Sequence, residues 1–402
     1  HYAVPFLGPY DGKLANNGGR LRLRNELDGI LLEVEYDDRA PWPVSPNGAG
    51  HSLVLSRPSY GENDARAWAA SDLIGGSPGT ADGYGAEPAR GVVINEFLAH
   101  TDLPSVDFIE LFNTGSQEVD LGGAWLSDEA GTNKHCIADG TTVPGRGFRA
   151  FDQTELGFAL SADGEQIFLV NSNRTRVLDA VDFRGQANAT SSGRHPDGAP
   201  GFQELSAVTE GYANAAPRLR SVVINEIMYH PISGSNDDEY IEIYNRSATP
   251  LDLSSGRIQG GVSYTFPSHT VVGGHGFVVV AENATNLVAK YAQLDASNTF
   301  GNYRGNLNNR SERIALSMPE DLITTNALGH AATNIFYIVV DEVTYLDGGR
   351  WGQWSDGGGS SLELIDPGAD NRLAANWADS DESSKAAWTT IDVTDVLENG
   401  QS

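Results

Sequence analysis

Residues 222–231 read VVINEIMYHP, and residues 92–101 read VVINEFLAHT. A second shared phrase follows each of them, EYIEIYN at 239–245 and DFIELFN at 107–113, and an Asp-Leu pair comes after both. The two copies keep register at a spacing of 130 to 132 residues, an agreement too long to be chance. Both phrases alternate apolar and polar side chains, which is typical of a half-buried β-strand. The pattern therefore predicts a repeated β-module that opens with the VVINE strand.

A third, incomplete copy of this module lies at the N-terminus. GPYDGKL at 8–14 matches GNYRGNL at 301–307, and SLVLSRP at 52–58 matches SLELIDP at 361–367. The spacing grows between these matches, which predicts an insertion within about residues 318–338 of the last module. The first copy is thus only the second half of a module. Either the chain was cut from a longer protein, or another chain supplies the missing strands; without them the half-module exposes strand edges.

The copies and the stretches between them predict the domain organisation. Gly- and Pro-containing stretches separate the copies, as is typical of linkers. The predicted segments are half a module at 1–82, a linker at 83–91, a module at 92–212, a linker at 213–221, a module with an insertion at 222–387, and a tail or the start of a further domain at 388–402.

The composition agrees with short strands joined by tight turns. There are 46 Gly among 402 residues, and the single Cys excludes an intrachain disulfide. Fifty-four acidic residues against 26 basic residues give a net charge of −28, which disfavours binding to phosphate backbones. No apolar run is long enough for a membrane helix. We therefore expect neither a nucleic-acid partner nor a membrane span in this chain.

Together the motifs resemble the lamin-tail domain as it occurs in bacteria. The resemblance rests on the INE strand, the DxIEL(Y/F)N strand, the Asp-Leu pair and the GxYxGxL…RIxL strands, and it covers nearly the whole chain. It implies an all-β fold of tandem immunoglobulin-like β-sandwiches, which the even spacing of short strands also favours. The Trp-rich stretch GRWGQWSDGGGSSLELIDP resembles segments of very large secreted proteins of environmental bacteria, which implies an extracellular or cell-surface location. The middle module departs from the pattern, because it lacks that stretch.

The repeated Asn-Glu dipeptides at 95–96 and 225–226 are the first candidates for catalysis. Glu110 and Glu242 stand on the next strand, and a carboxylate pair on neighbouring strands suits acid–base chemistry. Because the same residues occur in both modules, without a nucleophile or cleft specific to either, we expect a structural role. The motifs of serine hydrolases, P-loop proteins and dinucleotide-binding proteins are also missing. We predict that the chain is not an enzyme.

Two sets of residues are candidates for ligand binding, although each set also has a purely structural interpretation. The oxygen-rich loop with Asp237, Asp238 and Glu239 is a candidate for calcium, which takes several oxygen ligands, although its spacing is not that of an EF-hand. Trp351 and Trp354 are candidates for stacking on sugar rings. Solvated acidic loops and core packing are the alternative interpretations of these residues. No other cofactor is predicted.

Two functions follow from these features. The first is a non-catalytic structural or adhesion module of an extracellular or cell-surface protein, whose partners are other domains or copies of that protein. It assembles into a filament or lattice if another chain completes the half-module. The alternative is a carbohydrate-binding accessory region of a large secreted enzyme whose catalytic domain lies outside this chain. Exposed tryptophans would favour the alternative, and buried ones would count against it.

Overall fold

β-Strands joined by turns form nearly all of the regular structure, which confirms the predicted all-β fold. The chain divides into two units. Unit 1 contains residues 1–219 and 320–338, and unit 2 contains residues 220–319 and 339–402. The computed structural model describes residues 8–102, 104–325 and 331–380.

Unit 1 begins with two antiparallel hairpins. The first pairs β1 (Gly19–Arg24) with β2 (Ile30–Tyr36), and the second pairs β3 (Leu53–Leu55) with β4 (Trp68–Ala70). In the first hairpin, five apolar side chains of the two strands are exposed, from 43% to 62%, whereas Val34 is buried. The five are Leu21, Leu23, Ile30, Leu31 and Leu32.

A β-sandwich follows in the same unit. Its elements are β5 (Val92–Leu98), β6 (Phe108–Asn113), β7 (Val119–Asp120), β8 (Trp125–Ser127), β9 (His135–Cys136), β10 (Thr142–Val143), β11 (Phe148–Asp152), α1 (Gln153–Leu156), β12 (Gly164–Val170), β13 (Val177–Arg184), β14 (Ser192–Arg194) and β15 (Phe202–Glu204). One sheet has the order β11-β6-β5-β14-β15 and the other has the order β13-β12-β8-β9, while β7 pairs with β10. Side chains of both sheets share one core, in which Ile94, Leu111 and Leu169 are fully buried.

The opening strand is more deeply buried than its alternating pattern predicts. Six of the seven residues of β5 are buried, although the pattern indicates one apolar and one solvated face. The apolar residues Ile94 and Phe97 join the sandwich core. Asn95 and Glu96 are also fully buried, because other parts of the module supply hydrogen-bond donors to the polar side chains. The polar half of the pattern therefore marks a buried polar network.

A buried ion network fastens the N-terminal hairpins to the sandwich within unit 1. Arg176, which is 6% exposed, pairs with Asp72 at 2.6 Å and with Glu87 at 3.0 Å. Arg90 pairs with Asp72 at 2.5 Å. Although burial acts to raise it, the hydrogen bonds from Arg90 and Arg176 lower the pKa of Asp72 to about 2. Removing Arg176 would leave two carboxylates buried beside one remaining guanidinium.

Unit 2 has the same plan with additional strands. Its elements are β16 (Val222–Met228), β17 (Tyr240–Asn245), β18 (Leu251–Asp252), β19 (Arg257–Gly260), β20 (Val262–Thr265), β21 (Val271–Val272), β22 (Phe277–Ala281), α2 (Ala284–Lys290), β23 (Thr299–Gly301), β24 (Arg304–Gly305), β25 (Ser311–Thr325), β26 (Ala331–Leu346), β27 (Leu362–Leu364) and β28 (Trp377–Asp379). Residues 320–325 of β25 and 331–338 of β26 fall in unit 1. One sheet has the order β23-β22-β17-β16-β27-β28, and the other has the order β24-β20-β19-β25-β26. As in unit 1, the VVINE strand lies in the middle of its sheet.

Strands β25 and β26 are unusually long. They contain 15 and 16 residues, whereas β1 and β2 contain 6 and 7. The additional length coincides with the insertion predicted at 318–338, of which residues 320–338 belong to unit 1. The predicted domain boundaries stay predictions, and the tail predicted at 388–402 lies outside the described residues. Within the described part of the chain, no helix is long and apolar enough to cross a membrane.

Candidate functional site

A β-bulge lies at the Asn-Glu dipeptide of both modules. Where β5 pairs with β6, the register shifts between Ile94 and Glu96, so that Asn95 is the extra residue. The pairing of β16 with β17 shifts in the same way at Asn225. A bulge bends its strand and redirects the side chains around it. The repeated phrase therefore encodes a backbone feature, and the polar side chains gather where that feature lies.

The bulged asparagine of unit 1 bridges two carboxylates. Its side-chain nitrogen Nδ2 donates to Glu110 Oε1 at 3.3 Å and to Asp197 Oδ1 at 3.1 Å. The Asn95 Oδ1 accepts a hydrogen bond from the backbone N–H of Gly198 at 3.0 Å. Asn95 and Glu110 are both fully buried. Both polar atoms of the Asn95 amide thus form hydrogen bonds to neighbouring protein groups.

Residues 206–214, which we call the strap, donate hydrogen bonds to these two carboxylates and to the carboxylate of Glu96. Glu96 accepts from the Thr209 backbone N–H at 3.0 Å and from the Thr209 hydroxyl at 2.8 Å. The Ser191 hydroxyl donates to Glu96 at 2.5 Å. A buried carboxylate is costly unless donors replace the water that it loses, and these three bonds supply them.

The other two carboxylates hold the rest of the strap. Glu110 Oε2 accepts from the Gly211 backbone N–H at 2.5 Å, and Asp197 accepts from the Asn214 backbone N–H at 2.9 Å. The Asn214 side chain donates to the backbone oxygen of Asn95 at 3.0 Å, which closes the network. Each carboxylate therefore binds the strap through at least one backbone N–H.

Burial dominates the electrostatics of this network. It raises the pKa of Glu110 to about 7, and the nearby charges of Glu96 and Asp197 act in the same direction. The Gly211 N–H and the Asn95 amide oppose this rise because they stabilise the carboxylate form. A carboxylate with a pKa near neutrality suits a general base. Glu110 has no exposed surface, however, and its hydrogen-bond partners are protein groups, so the arrangement in this state holds the strap.

Unit 2 keeps the bulge and one of the donors. Asn225 Nδ2 donates to Glu242 Oε1 at 2.9 Å, as Asn95 does to Glu110. Glu226 Oε1 accepts from the Tyr240 hydroxyl at 2.6 Å and from the Ser361 hydroxyl at 2.5 Å. Ser361 directly precedes β27 as Ser191 precedes β14, so the serine bond and the bond from the bulged amide are shared, and the remaining donors are specific to each module.

Comparison with known families accounts for this repeated architecture. The sequence model of the Lamin Tail Domain family matches residues 86–186 and 215–347, together more than half of the chain. The chain belongs to the lamin tail domain family. Searches of the curated proteins and of the solved structures found no match. The tandem lamin-tail modules predicted from the repeated phrase are thereby confirmed, and the immunoglobulin-like sandwich is their fold.

Sequence reasoning missed a second carboxylate position that both lamin-tail modules share. Asp179 Oδ2 on β13 accepts from the Ile94 backbone N–H at 2.8 Å, and Asp341 Oδ2 on β26 accepts from the Ile224 backbone N–H at 2.6 Å. Each aspartate stands on the sheet opposite the VVINE strand and binds that strand beside its bulge. Burial raises the pKa of Asp341 to about 6, while the Ile224 N–H and the Asn371 side chain act against the rise. The available signal was an Asp that interrupts an apolar stretch of each strand, VLDAV in β13 and IVVDEV in β26.

The three calcium candidates of unit 2 have separate partners. The Asp238 carboxylate pairs with Lys290 and accepts from the Asn286 side chain at 2.7 Å. Glu239 is 1% exposed and accepts from the Tyr303 hydroxyl at 3.0 Å. Protein donors therefore occupy oxygens that a cation would need.

The remaining member of the calcium set has a protein partner too. Asp237 accepts from the Asn283 side chain at 3.2 Å. Among the residues that the structure describes, no group of three or more His, Cys, Asp or Glu is arranged to hold a metal ion. Calcium binding at Asp237, Asp238 and Glu239 stays a prediction.

The two tryptophan candidates of unit 2 lie in different environments. Trp351 is 8% exposed and packs against Trp377, with ring centroids 6.2 Å apart. Trp42 and Trp68 in unit 1 repeat this pair at 6.0 Å, as the matching sequences of the two segments indicate. Trp354 is 64% exposed. Only Trp354 presents its ring to solvent, so glycan binding stays a prediction that rests on this one side chain.

Proposed function

We propose that this chain is a non-catalytic structural or adhesion region, built of tandem lamin-tail modules, of an extracellular or cell-surface protein. The observation that carries the proposal is the way in which the repeated Asn-Glu positions are used. In both modules their side chains are buried and hydrogen-bonded to protein donors. A catalytic carboxylate has to reach a substrate, which these carboxylates do not in this state. A structural feature that is repeated in each module suits a protein that spans a distance and presents binding surfaces to its partners.

The proposal includes assembly with other copies through the N-terminal half-module. In unit 2, β27 pairs with β28 on one side and with the VVINE strand β16 on the other. In the sandwich of unit 1, β14 lies in the same way between β15 and β5. The equivalent strand β3 pairs with β4, and no other strand of the described residues pairs with it. A free edge of this kind accepts an added strand.

The hydrogen bonds of the second hairpin identify the positions that face this edge. The Ser56 N–H donates to Ala67 O, and the Ser71 N–H donates to Ser52 O, so alternate positions of β3 bond to β4. The positions between them, Leu53 and Leu55, direct their backbone groups to the other side. We propose that a VVINE-type strand of another copy pairs there, which would generate a filament or lattice.

Sedimentation velocity over a range of protein concentrations tests the assembly. The expected result is concentration-dependent association of the wild-type chain, with a Leu55→Pro variant remaining monomeric because the backbone N–H at the edge is lost. Glu26→Pro is the matched control, since position 26 is the second residue of a tight turn that tolerates proline. A wild-type chain that stays monomeric at every concentration would refute assembly.

A second candidate function, carbohydrate binding, is favoured by the exposure of Trp354. An exposed indole stacks on flat apolar faces, including those of sugar rings. A glycan array with the wild-type chain and a Trp354→Ala variant separates the two functions. Binding that disappears with Trp354→Ala would support an accessory role for a secreted enzyme, and the absence of any bound glycan would leave the structural role alone.

A further inference from the structure

Unit 1 contains a cavity of about 320 Å³ beside the connection between β5 and β6. It lies at the C-terminal end of β5, whereas the strap binds β5 at its bulge. Its volume is at the lower end of the range for ligand pockets. Residues of the β5–β6 connection, of α1 and of the loop before β12 line it, together with Leu322 of β25.

A buried carboxylate is the main charged group of the cavity. Asp107 is 5% exposed and accepts from the Thr101 hydroxyl at 3.1 Å and from the Leu160 backbone N–H at 3.0 Å. Both donors are neutral, and within the described ranges no lysine or arginine forms an ion pair with Asp107. Burial raises the pKa of Asp107, while the hydrogen bonds from Thr101 and Leu160 and the nearby His100 ring act against the rise.

Two polar side chains beside the carboxylate, His100 and Thr101, also offer acceptors to a ligand, whereas Gln153 and Ser161 can both donate and accept. His100 Nδ1 lies 2.9 Å from the backbone oxygen of Gln186, a contact that requires a hydrogen on Nδ1. In the neutral ring Nε2 then carries a lone pair. The Thr101 hydroxyl hydrogen is directed to Asp107, so its oxygen offers only lone pairs to a ligand. A ligand that bonds to Asp107, His100 and Thr101 together has to bring donors.

Apolar side chains complete the lining. Leu160, Ala162 and Leu322 contribute hydrocarbon surface next to the carboxylate. We propose that the cavity binds a protonated amine or guanidinium group on an alkyl stem, as found in a lysine or arginine side chain or in a small diamine. The cationic head pairs with Asp107, and the stem packs on the three apolar side chains.

The equivalent position of unit 2 is occupied from within the protein. Glu239 accepts from the Leu307 backbone N–H at 2.8 Å, as Asp107 does from Leu160. There the Tyr303 hydroxyl donates to the carboxylate at 3.0 Å, and Tyr303 is 3% exposed. The cavity is therefore specific to unit 1, and we expect the two lamin-tail modules to differ in ligand binding although they share a fold.

Calorimetric titration of the full chain at pH 7.5 tests the proposal with n-butylguanidinium and its neutral analogue n-butylurea. We expect saturable binding of the cation with Kd on the order of 0.1–1 mM, as its few heavy atoms allow. Binding of the urea should be at least about tenfold weaker, because its head group cannot pair with Asp107. Equal binding of the two compounds, or no saturation with either, would overturn the proposal.

Variants locate the binding within the molecule. Asp107→Asn should weaken cation binding by about tenfold or more, whereas Asp163→Asn, which removes an exposed charge near the cavity, should not change it. If Asp107→Asn does not fold, Leu322→Trp fills the cavity without touching Asp107 and should produce the same loss. An equal effect of Asp163→Asn would mean non-specific attraction by the acidic protein and would refute the site.

A short arginine-containing peptide distinguishes the two sources of the ligand. If the peptide binds at least about tenfold more tightly than n-butylguanidinium, contacts outside the cavity contribute and the ligand is a protein side chain. If both bind equally, a small amine is the ligand. Either of these results supports the cation pocket. If neither the peptide nor n-butylguanidinium binds, the pocket is refuted, while the structural role proposed above is unaffected.

Discussion

Replacing Glu110 by Gln removes the charge from the centre of the strap network and nearly keeps the shape of the side chain. Glu110 is fully buried, and its pKa is raised from 4.5 to about 7. The folded module therefore binds more protons than the unfolded chain between these two values. By linkage, the contribution of Glu110 to stability is greatest below pH 4.5 and is lost as the pH rises toward 7.

The size of this effect follows from the shift. A difference of about 2.5 pKa units corresponds to about 3 kcal/mol, as an order of magnitude for a buried group. Glutamine behaves at every pH as the protonated carboxyl does, with one acceptor and one donor group. Any constant cost of the substitution leaves the shape of the pH profile unchanged. The free energy needed to open the Glu110→Gln module should thus rise by about 3 kcal/mol relative to wild type between pH 4.5 and pH 7.5, because wild type loses stability over this range and the variant does not.

Hydrogen exchange of β5 and β6, read by mass spectrometry and corrected for the intrinsic pH dependence of exchange, gives this opening free energy for the module alone. Measuring one module avoids a global unfolding curve to which both units contribute. Glu118→Gln is the control, because Glu118 is exposed on the turn after β6. A difference profile that is flat from pH 4.5 to 7.5 would show that Glu110 ionises normally and would refute the account of the network.

Three further substitutions probe other parts of the two units. Trp351→Ala should cost about 3–5 kcal/mol in the unfolding of unit 2, whereas Trp354→Ala should change it by less than about 0.5 kcal/mol, as denaturant melts will show. Arg176→Ala should destabilise unit 1 by about 3–5 kcal/mol, because Asp72 and Glu87 lose a buried partner; an equal effect of exposed Arg146→Ala would contradict this. Asp341→Ala should cost about 1–3 kcal/mol through the unpaired Ile224 N–H, and faster exchange of that amide is the observable.

The opening strands of each module were predictable because they rest on local periodicity. Strands β5, β6, β16 and β17 each coincide with one of the two repeated phrases, and alternation is a property of adjacent residues. The change in spacing between matched phrases predicts an insertion in the last module, where β25 and β26 are unusually long. Deep burial of the polar face of β5 was not, because the strap that covers Glu96 and Glu110 comes from more than 100 residues farther along the chain. Hydrogen bonds between distant segments leave no periodic trace in either partner.

The candidate sites show the same division between features that follow from local sequence and features that depend on distant segments. A structural role for the Asn-Glu dipeptide followed from its repetition, but its mechanism, a bulge whose amide binds the next strand, depends on register. Trp351 and Trp354 are three residues apart and look equivalent in the sequence. One packs against Trp377 and the other faces solvent, because the side chains of a turn do not follow a fixed alternation.

The two modules together separate what the bulge needs from what each module adds. The Asn-to-Glu bond and the Asp that binds the strand beside the bulge occur in both. A serine hydroxyl donates to the glutamate of the dipeptide in both modules, Ser191 to Glu96 and Ser361 to Glu226, and each serine directly precedes the strand that pairs with the VVINE strand. The other donor differs, being Thr209 in one module and Tyr240 in the other. A buried carboxylate with one constant donor and one variable donor fixes the sheet and accepts whichever segment the module brings to it. The cost of burying the charge then falls where a donor is removed, so variation among modules is expected in the second donor and not in the dipeptide.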